Sequence, residues 1–344
     1  MTRFESTSRL AKLARGAALL LLLGLPLLAC KSAETNPAAP NPAVNTALDA
    51  LLDDKSYAAI APGSFLMGSP ETEKTTDDLE LRERPQHRVT ISKGFELGIY
   101  EVTQAQWEAV MGANPSQFKD PNLPVENVSW NDVQLFLERL QPLADKHSYG
   151  LPTEAQWEYA CRAGSSGDFA GQEFKGEEEE HGREKEERER EKEKRPAKPK
   201  VKFPAPRRAN PNDTILQPPK SPAELAREKY FESPAYYEPL LKLGWFVVNA
   251  QKRTHPGGEK QPNAWGLYDM HGNVWEWCAD WYDVNYYRTG AATDPPGAAK
   301  GEYRVNRGGS WQIPARMCRA TIRGYDLPAL RTAVLGFRLL RRSK

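Results

Sequence analysis

The chain has 344 residues, with 47 Lys and Arg against 46 Asp and Glu, for a formal net charge of +1. A balance of this kind lacks the basic excess on which nucleic-acid binding depends, and excludes that class of partner. The amino terminus reads as an export signal: Arg3, Arg9, Lys12 and Arg15 precede an apolar run from Ala17 to Ala29. That run is too short, and its flanks too one-sided, for an ordinary spanning helix. Residues 1–29 are therefore expected to be a signal peptide. Their removal takes away four basic and one acidic residue and leaves a formal charge of about −2.

The run ends in Leu27-Leu28-Ala29-Cys30, which resembles a bacterial lipobox, where a peptidase cuts before a lipid-modified cysteine. Cys30 then becomes the first residue of a protein held to the membrane. The alternative is an ordinary secretory peptide with a chance cysteine. Several acyl chains on one residue anchor stably, whereas a single chain is marginal. Lys31 rather than an acid follows, and by the sorting rule of enteric bacteria this favours the outer membrane. The expected location is the bacterial cell envelope, lipid-anchored. Residues 30–58 read as the lipidated cysteine and a flexible tether, Ala-, Pro- and Asn-rich from Ser32 to Asn45.

One globular domain is expected over residues 59–341, interrupted by a charged low-complexity insert at 171–233. Within the insert Glu177-Glu-Glu-Glu180 leads into alternating charges from Arg183 to Arg195 and then a Pro-Lys stretch. Such a segment cannot bury enough apolar surface to offset its ordering entropy. Outside it, Thr103 with Gln106, Ser129 with Asp132 and Thr153 with Gln156 are helix-start signals, and Gly112 and Gly164 are stops. Extended pieces are expected at Gly63–Met67, Arg88–Ser92, Phe95–Tyr100, Arg304–Arg307 and Leu335–Leu339, with long loops between Trp245 and Arg304. Few regular elements among 25 Gly, 28 Pro and 9 Trp describe an irregular α+β domain. Trp107, Trp130 and Trp157 lie on or beside the helices and read as core. Cys161 shares a helix face with Trp157 and reads as core too.

Several strings occur in order: Pro62-Gly-Ser-Phe-Leu-Met-Gly68, Glu83-Arg-Pro-Gln-His-Arg-Val-Thr90, Tyr100-Glu-Val-Thr-Gln-Ala-Gln-Trp107, Pro124-Val-Glu-Asn-Val-Ser-Trp130 and Leu151-Pro-Thr-Glu-Ala-Gln-Trp-Glu-Tyr159. They are followed by Asp269-Met-His-Gly-Asn-Val-Trp-Glu-Trp-Cys278, Arg307-Gly-Gly-Ser-Trp311 and Gly336-Phe-Arg-Leu339. Together they resemble the formylglycine-generating enzyme (sulfatase-modifying factor) family, from about Ile60 to Leu340 apart from the insert. The resemblance implies a variant of the C-type lectin fold.

The acidic turn is the strongest site candidate. A hard cation such as calcium takes six to eight oxygens from carboxylates, carbonyls and water. Asp269 and Glu276 can offer carboxylates, and Gly272 and Val274 can point carbonyls to one side. The resemblance implies calcium at these four positions; the alternative is that both acids merely accept backbone hydrogen bonds. Family enzymes also use two cysteines, five residues apart after Gly-Gly-Ser, to bind copper(I) and oxidise a substrate cysteine. Counted from Gly308-Gly309-Ser310, the first position here is Ile313 and the second Cys318. Copper(I) prefers soft thiolates, and one sulfur is missing, so copper is not expected. Cys318 is instead expected to be structural, for instance in a disulfide with Cys278, with a lone redox thiol as the alternative. Trp275, Ser310 and Cys318 remain as candidates inherited from a catalytic groove.

Two functions stay open. One is a binding or scaffold module in which loops around Trp275, Trp277, Trp281 and Trp311 form a groove for a protein, peptide or glycan. The other is a protein-modifying oxidoreductase acting on a substrate cysteine. Anchoring is testable first. Wild-type protein is expected to carry lipid at Cys30 and to sediment with membranes, and Cys30→Ala to abolish both, as read by mass of the amino-terminal peptide. A water-soluble wild-type protein with an unacylated amino terminus would remove the lipoprotein reading.

Overall fold

Side chains that cap helix ends fix where the principal helices begin. The computed structural model describes residues 42–70, 81–172 and 222–344, all within the compact unit Asn41–Lys344. Helix α1 (Pro42–Leu52) comes first. Helices α2 (Gln104–Met111), α3 (Trp130–Leu140) and α4 (Glu154–Arg162) open on full capping boxes at Thr103, Ser129 and Thr153. Each box satisfies two otherwise unpaired backbone N–H groups. Gly112, at φ 83°, ends α2 as expected. The cap of α4 falls one residue before the expected Gly164, on left-handed Ala163. Signal peptide, Cys30 and most of the insert lie outside the described residues, among which no helix is long and apolar enough to cross a membrane.

The strands form three sheets. In one, β1 (Tyr57–Ile60), β4 (Phe95–Gly98), β10 (Leu340–Ser343) and β5 (His147–Gly150) pair in that order, all antiparallel. In another, β2 (Gly63–Met67) pairs with β3 (His87–Ile91). The third runs β8 (Gly324–Asp326), β7 (Arg304–Arg307), β6 (Trp275–Trp281), β9 (Leu335–Gly336), with β6 and β9 parallel. This α+β architecture is the irregular C-type-lectin-like fold.

Several expected boundaries are corrected. Within the tether expected over residues 30–58, α1 occupies Pro42–Leu52 and β1 begins at Tyr57. Leu48, Leu51 and Leu52 pack beside Trp107, Val110 and Met111, and Ser56 Oγ and Tyr57 Oη donate to the carbonyls of Ala50 and Leu51 at the end of α1. Within the insert expected over residues 171–233, Pro222–Phe231 is helical, and Phe231 packs against a cluster containing Phe169 and Tyr236. The expected loop from Trp245 to Arg304 contains β6, a central strand. The expected strand Leu335–Leu339 is instead split, because Phe337, Arg338 and Leu339 turn inward between β9 and β10.

All nine residues of α4 are buried, including Glu154 and Glu158. Arg323 holds Glu154 bidentately at 2.7 and 2.8 Å. Arg307 pairs with Glu158 and lies 3.5 Å from Glu154, and Arg162 Nε donates to Glu158 Oε1 at 2.9 Å. Burial pushes the Glu154 carboxyl upward, but Arg323 and Arg307 outweigh it and hold it below the usual range. Trp157 Nε1 donates to Glu276 Oε2 on β6 at 2.7 Å. Removing one partner from such a pair strands a buried charge, at a cost of about 3–5 kcal/mol. Glu158→Gln is expected to lower the unfolding free energy by that amount, read as a lower chemical-denaturation midpoint at an unchanged slope. A loss below about 1 kcal/mol, as for an exposed pair, would mean that Arg307 re-pairs with Glu154.

Candidate functional site

Strand β7 ends at Arg307 and runs into Gly308 and Gly309, both left-handed at φ 97° and 84°. Only glycine fits at Gly309: a Cβ there would lie 2.7 Å from Cys318 Sγ and 2.9 Å from the Met317 carbonyl oxygen. The turn therefore lies directly on Cys318. Ser310 is fully buried, and its Oγ has no hydrogen-bond partner. Cys318, at the end of a 3-10 turn over Ala315–Cys318, packs with Phe169, Tyr236, Leu240, Phe246 and Ala315, and Ile313 packs against the same cluster. The structure thus brings together the two positions singled out by counting from Gly-Gly-Ser. What surrounds them is hydrocarbon. Burial pushes the Cys318 thiol up to about 12, so the nucleophilic thiolate is scarce.

The expected Cys278–Cys318 disulfide is absent. Cys161, Cys278 and Cys318 are free and buried, and Cys278 belongs to a different hydrophobic cluster, with Cys161, Met270 and Val305. Cys278 shares its cluster with Trp157, Ala160 and Cys161 of α4, whereas Cys318 lies under the glycine turn; a disulfide needs close, converging Cβ atoms. His271 sits between Cys161 and Cys318. Its Nδ1 donates to the Cys318 carbonyl at 2.8 Å, while Nε2 accepts from the Ala170 N–H at 3.0 Å. These partners assign the neutral Nδ1–H tautomer, and burial lowers the imidazole pKa to about 4.

The acidic turn is a tight backbone element at the start of β6. Asp269 and Asn273 are left-handed at φ 57° and 59°. Gly272 passes so close to Trp245 that a Cβ would lie 2.2 Å from the Trp245 carbonyl oxygen. Asp269 is buried; its Oδ2 accepts from the Gly258 N–H at 3.0 Å and its Oδ1 has no partner. Burial pushes its carboxyl up to about 6. Glu276, the other expected carboxylate ligand, is engaged instead by Arg338, through Nε and Nη2 at 2.7 and 2.6 Å, and by Trp157. Only part of its accepting capacity is left.

Two residues to which sequence reasoning gave no role complete this site. Glu101 accepts from Asn273 Nδ2 at 2.7 Å and from the Val274 N–H at 3.2 Å. Burial, then the charges of Asp269 and Glu276, push its carboxyl well up. Arg338 is the counter-charge to all three acids. Both residues lie inside quoted strings, Tyr100-Glu-Val-Thr and Gly336-Phe-Arg-Leu339, but nothing local says that these strings meet. No group of three or more His, Cys, Asp or Glu residues among those described is arranged to hold a metal.

One of the four tryptophans expected around a groove cannot line it. Trp277 is fully buried, donating from Nε1 to the Val128 carbonyl. Trp275, Trp281 and Trp311 are half-buried. The Arg304 guanidinium lies 3.5 Å from the ring centroid of Trp281 and 3.7 Å from that of Trp130, and Phe118 meets Trp311 edge-on at 5.6 Å.

The sequence profile of the sulfatase-modifying factor enzyme 1-like domain matches residues 49–218 and 227–343. The chain belongs to this family. A formylglycine-generating enzyme of Streptomyces coelicolor is 30% identical over 240 residues, covering 69% of this chain and 58% of that protein. This chain therefore spans little more than half of that relative's length. The chaperone protein LppX of Paenibacillus barcinonensis is 27% identical over 257 residues, covering 65% of this chain and 71% of LppX. Treponema denticola variable protein 1 superposes with a TM-score of 0.56 at 25% identity, over 83% of this chain and 94% of that one. PvdO from Pseudomonas aeruginosa shares the fold, with a TM-score of 0.56 at 24% identity over 83% and 94% of the two chains.

In this sulfatase-modifying-factor-like domain the three buried thiols should be silent toward an aqueous thiol reagent in the native state and all titrate after denaturation without reductant. Recovery of Cys161 alone would restore the disulfide.

Proposed function

We propose that the protein is a lipid-anchored binding or scaffold module of the bacterial cell envelope, stabilised by calcium and without formylglycine-generating activity. The observation that carries this reading is the pairing of Ile313 with a single buried thiol, Cys318, inside an apolar cluster. Two-thiolate copper(I) binding needs a second sulfur, and Cys161 and Cys278 belong to a different cluster. The similarity to LppX, a chaperone protein, supports a role in holding another protein. Half-buried Trp275, Trp281 and Trp311 are the aromatic surfaces offered to a protein, peptide or glycan. The competing reading is a protein-modifying oxidoreductase, favoured by 30% identity to a formylglycine-generating enzyme. In that case Trp275, Ser310 and Cys318 would be its inherited groove.

Calcium fits the acidic turn in part. The buried, unpartnered Oδ1 of Asp269 is what a cation would satisfy; Arg338 faces Glu101, Asp269 and Glu276 together, and Lys260 adds a second positive charge toward Asp269. Asp269 and the carbonyls of Gly272 and Val274 would hold the ion, and Glu276 could add only the accepting capacity that Arg338 and Trp157 leave free. When bound, the ion would add positive charge beside three acids that share Arg338.

A sulfatase-type Cys-x-Pro-x-Arg peptide incubated with the protein, copper and a thiol reductant is expected to show no aldehyde product by mass. Ile313→Cys should gain copper(I) affinity. Aldehyde formed by the wild-type protein would overturn the binding-module reading. Separately, millimolar-range calcium is expected to raise Tm over that in chelator, by roughly 2–4 °C per kcal/mol of linked binding. Asp269→Ala should erase the difference, and an identical wild-type Tm in both buffers would remove calcium from the proposal.

A further inference from the structure

The segment Trp245–Arg253, between the Cys318 cluster and the acidic turn, has features that neither site uses. Val247 and Val248 are 51% and 53% exposed, more than any other large hydrophobic side chain among the described residues except Tyr230. Single exposed apolar residues are ordinary, but two adjacent ones at a turn tip form a patch. The turn closes through the Asn249 N–H to the Phe246 carbonyl at 3.0 Å. Phe246 is fully buried in the Cys318 cluster, and Val247 N–H donates to the Ile313 carbonyl at 3.1 Å. The two valines therefore project from an anchored base.

The residues that follow are held in a costly shape. Gln251 and Lys252 are successive non-glycine residues in the left-handed region, at φ 53° and 60°, which persists only where surrounding contacts enforce it. Those contacts are present. Asn249 Oδ1 accepts from the Phe246 N–H at 2.9 Å and its Nδ2 donates to the Gly244 carbonyl at 3.0 Å. His255 Nε2 donates to the Ala250 carbonyl at 2.8 Å while its ring stacks on Trp245 at 3.7 Å. Lys252 and Arg253 are exposed and follow the valine tip within five residues. Neither has an ion pair among the described residues, and Glu259, the acid nearest in sequence, lies 3.8 Å from His255.

We infer that Val247, Val248, Lys252 and Arg253 form a docking element for an anionic lipid surface. Charge complementarity selects the occupant: an exposed apolar tip followed within five residues by two unpaired cations matches a bilayer interface, where valines enter the acyl boundary and cations remain among anionic headgroups. The element works whether or not Cys30 is acylated, and depends on neither calcium nor the thiols.

The test uses full-length protein carrying Val248→Cys, or Val247→Cys as a second variant, labelled with an environment-sensitive fluorophore. Leu66→Cys, exposed on β2, is the control position, and unsubstituted protein gives the background. In vesicles of equal parts phosphatidylcholine and phosphatidylglycerol, the label at 247 or 248 is expected to shift blue, to be quenched by doxyl lipid and to lose severalfold in iodide quenching. These changes should be absent in phosphatidylcholine alone and abolished by Lys252→Glu with Arg253→Glu. A label that stays as open to iodide as the control in anionic vesicles would overturn the proposal. Shielding from iodide without doxyl quenching would also overturn it, because the surface covering the valines would then be protein.

Discussion

The structure depends on a helix with no solvent-facing side. Because α4 is buried along its whole length, its carboxylates cannot be left to water, and a bare carboxylate inside a protein is prohibitively costly. Arg307 and Arg323, from the strand and loop packed against it, and Arg162 from its own last turn, supply the charge. Trp157 then links the helix to Glu276, and Glu276 to Arg338. A hydrophobic helix could pack there in many rotations, whereas this network admits one. Its contribution is specificity of packing more than net stability.

The same arrangement governs both candidate sites. Glu276 anchors Arg338 beside Asp269, so the acidic turn is built around a guanidinium. Arg307 ends β7, and the next residues are the glycine turn over Cys318. The thiol is thus enclosed by a turn with no room for a side chain on one side and by the Phe169, Tyr236 and Phe246 rings on the other.

Local chemistry was legible in the sequence where it acts over three or four residues. The capping boxes at Thr103, Ser129 and Thr153 are of this kind, as is the missing sulfur at Ile313, which needs only counting. β6 was not legible: its acids, Glu276 and Asp280, suggest a turn until their partners are known, and Arg338 and the α4 backbone lie far along the chain. Pro42–Leu52 looked like a tether because its Ala-, Asn- and Pro-containing start hides a leucine face that has meaning only against Trp107 and Met111. The Cys278–Cys318 pairing failed for a related reason, since spacing carries no information on which face of a strand a thiol occupies.

The position of β4 has a mechanical consequence. β1 and β10, near opposite ends of the described domain, flank this one strand, so they run roughly 10 Å apart, two strand spacings. A pull on the chain before β1 is therefore borne first by the docking of α1 and then by the β1–β4 ladder.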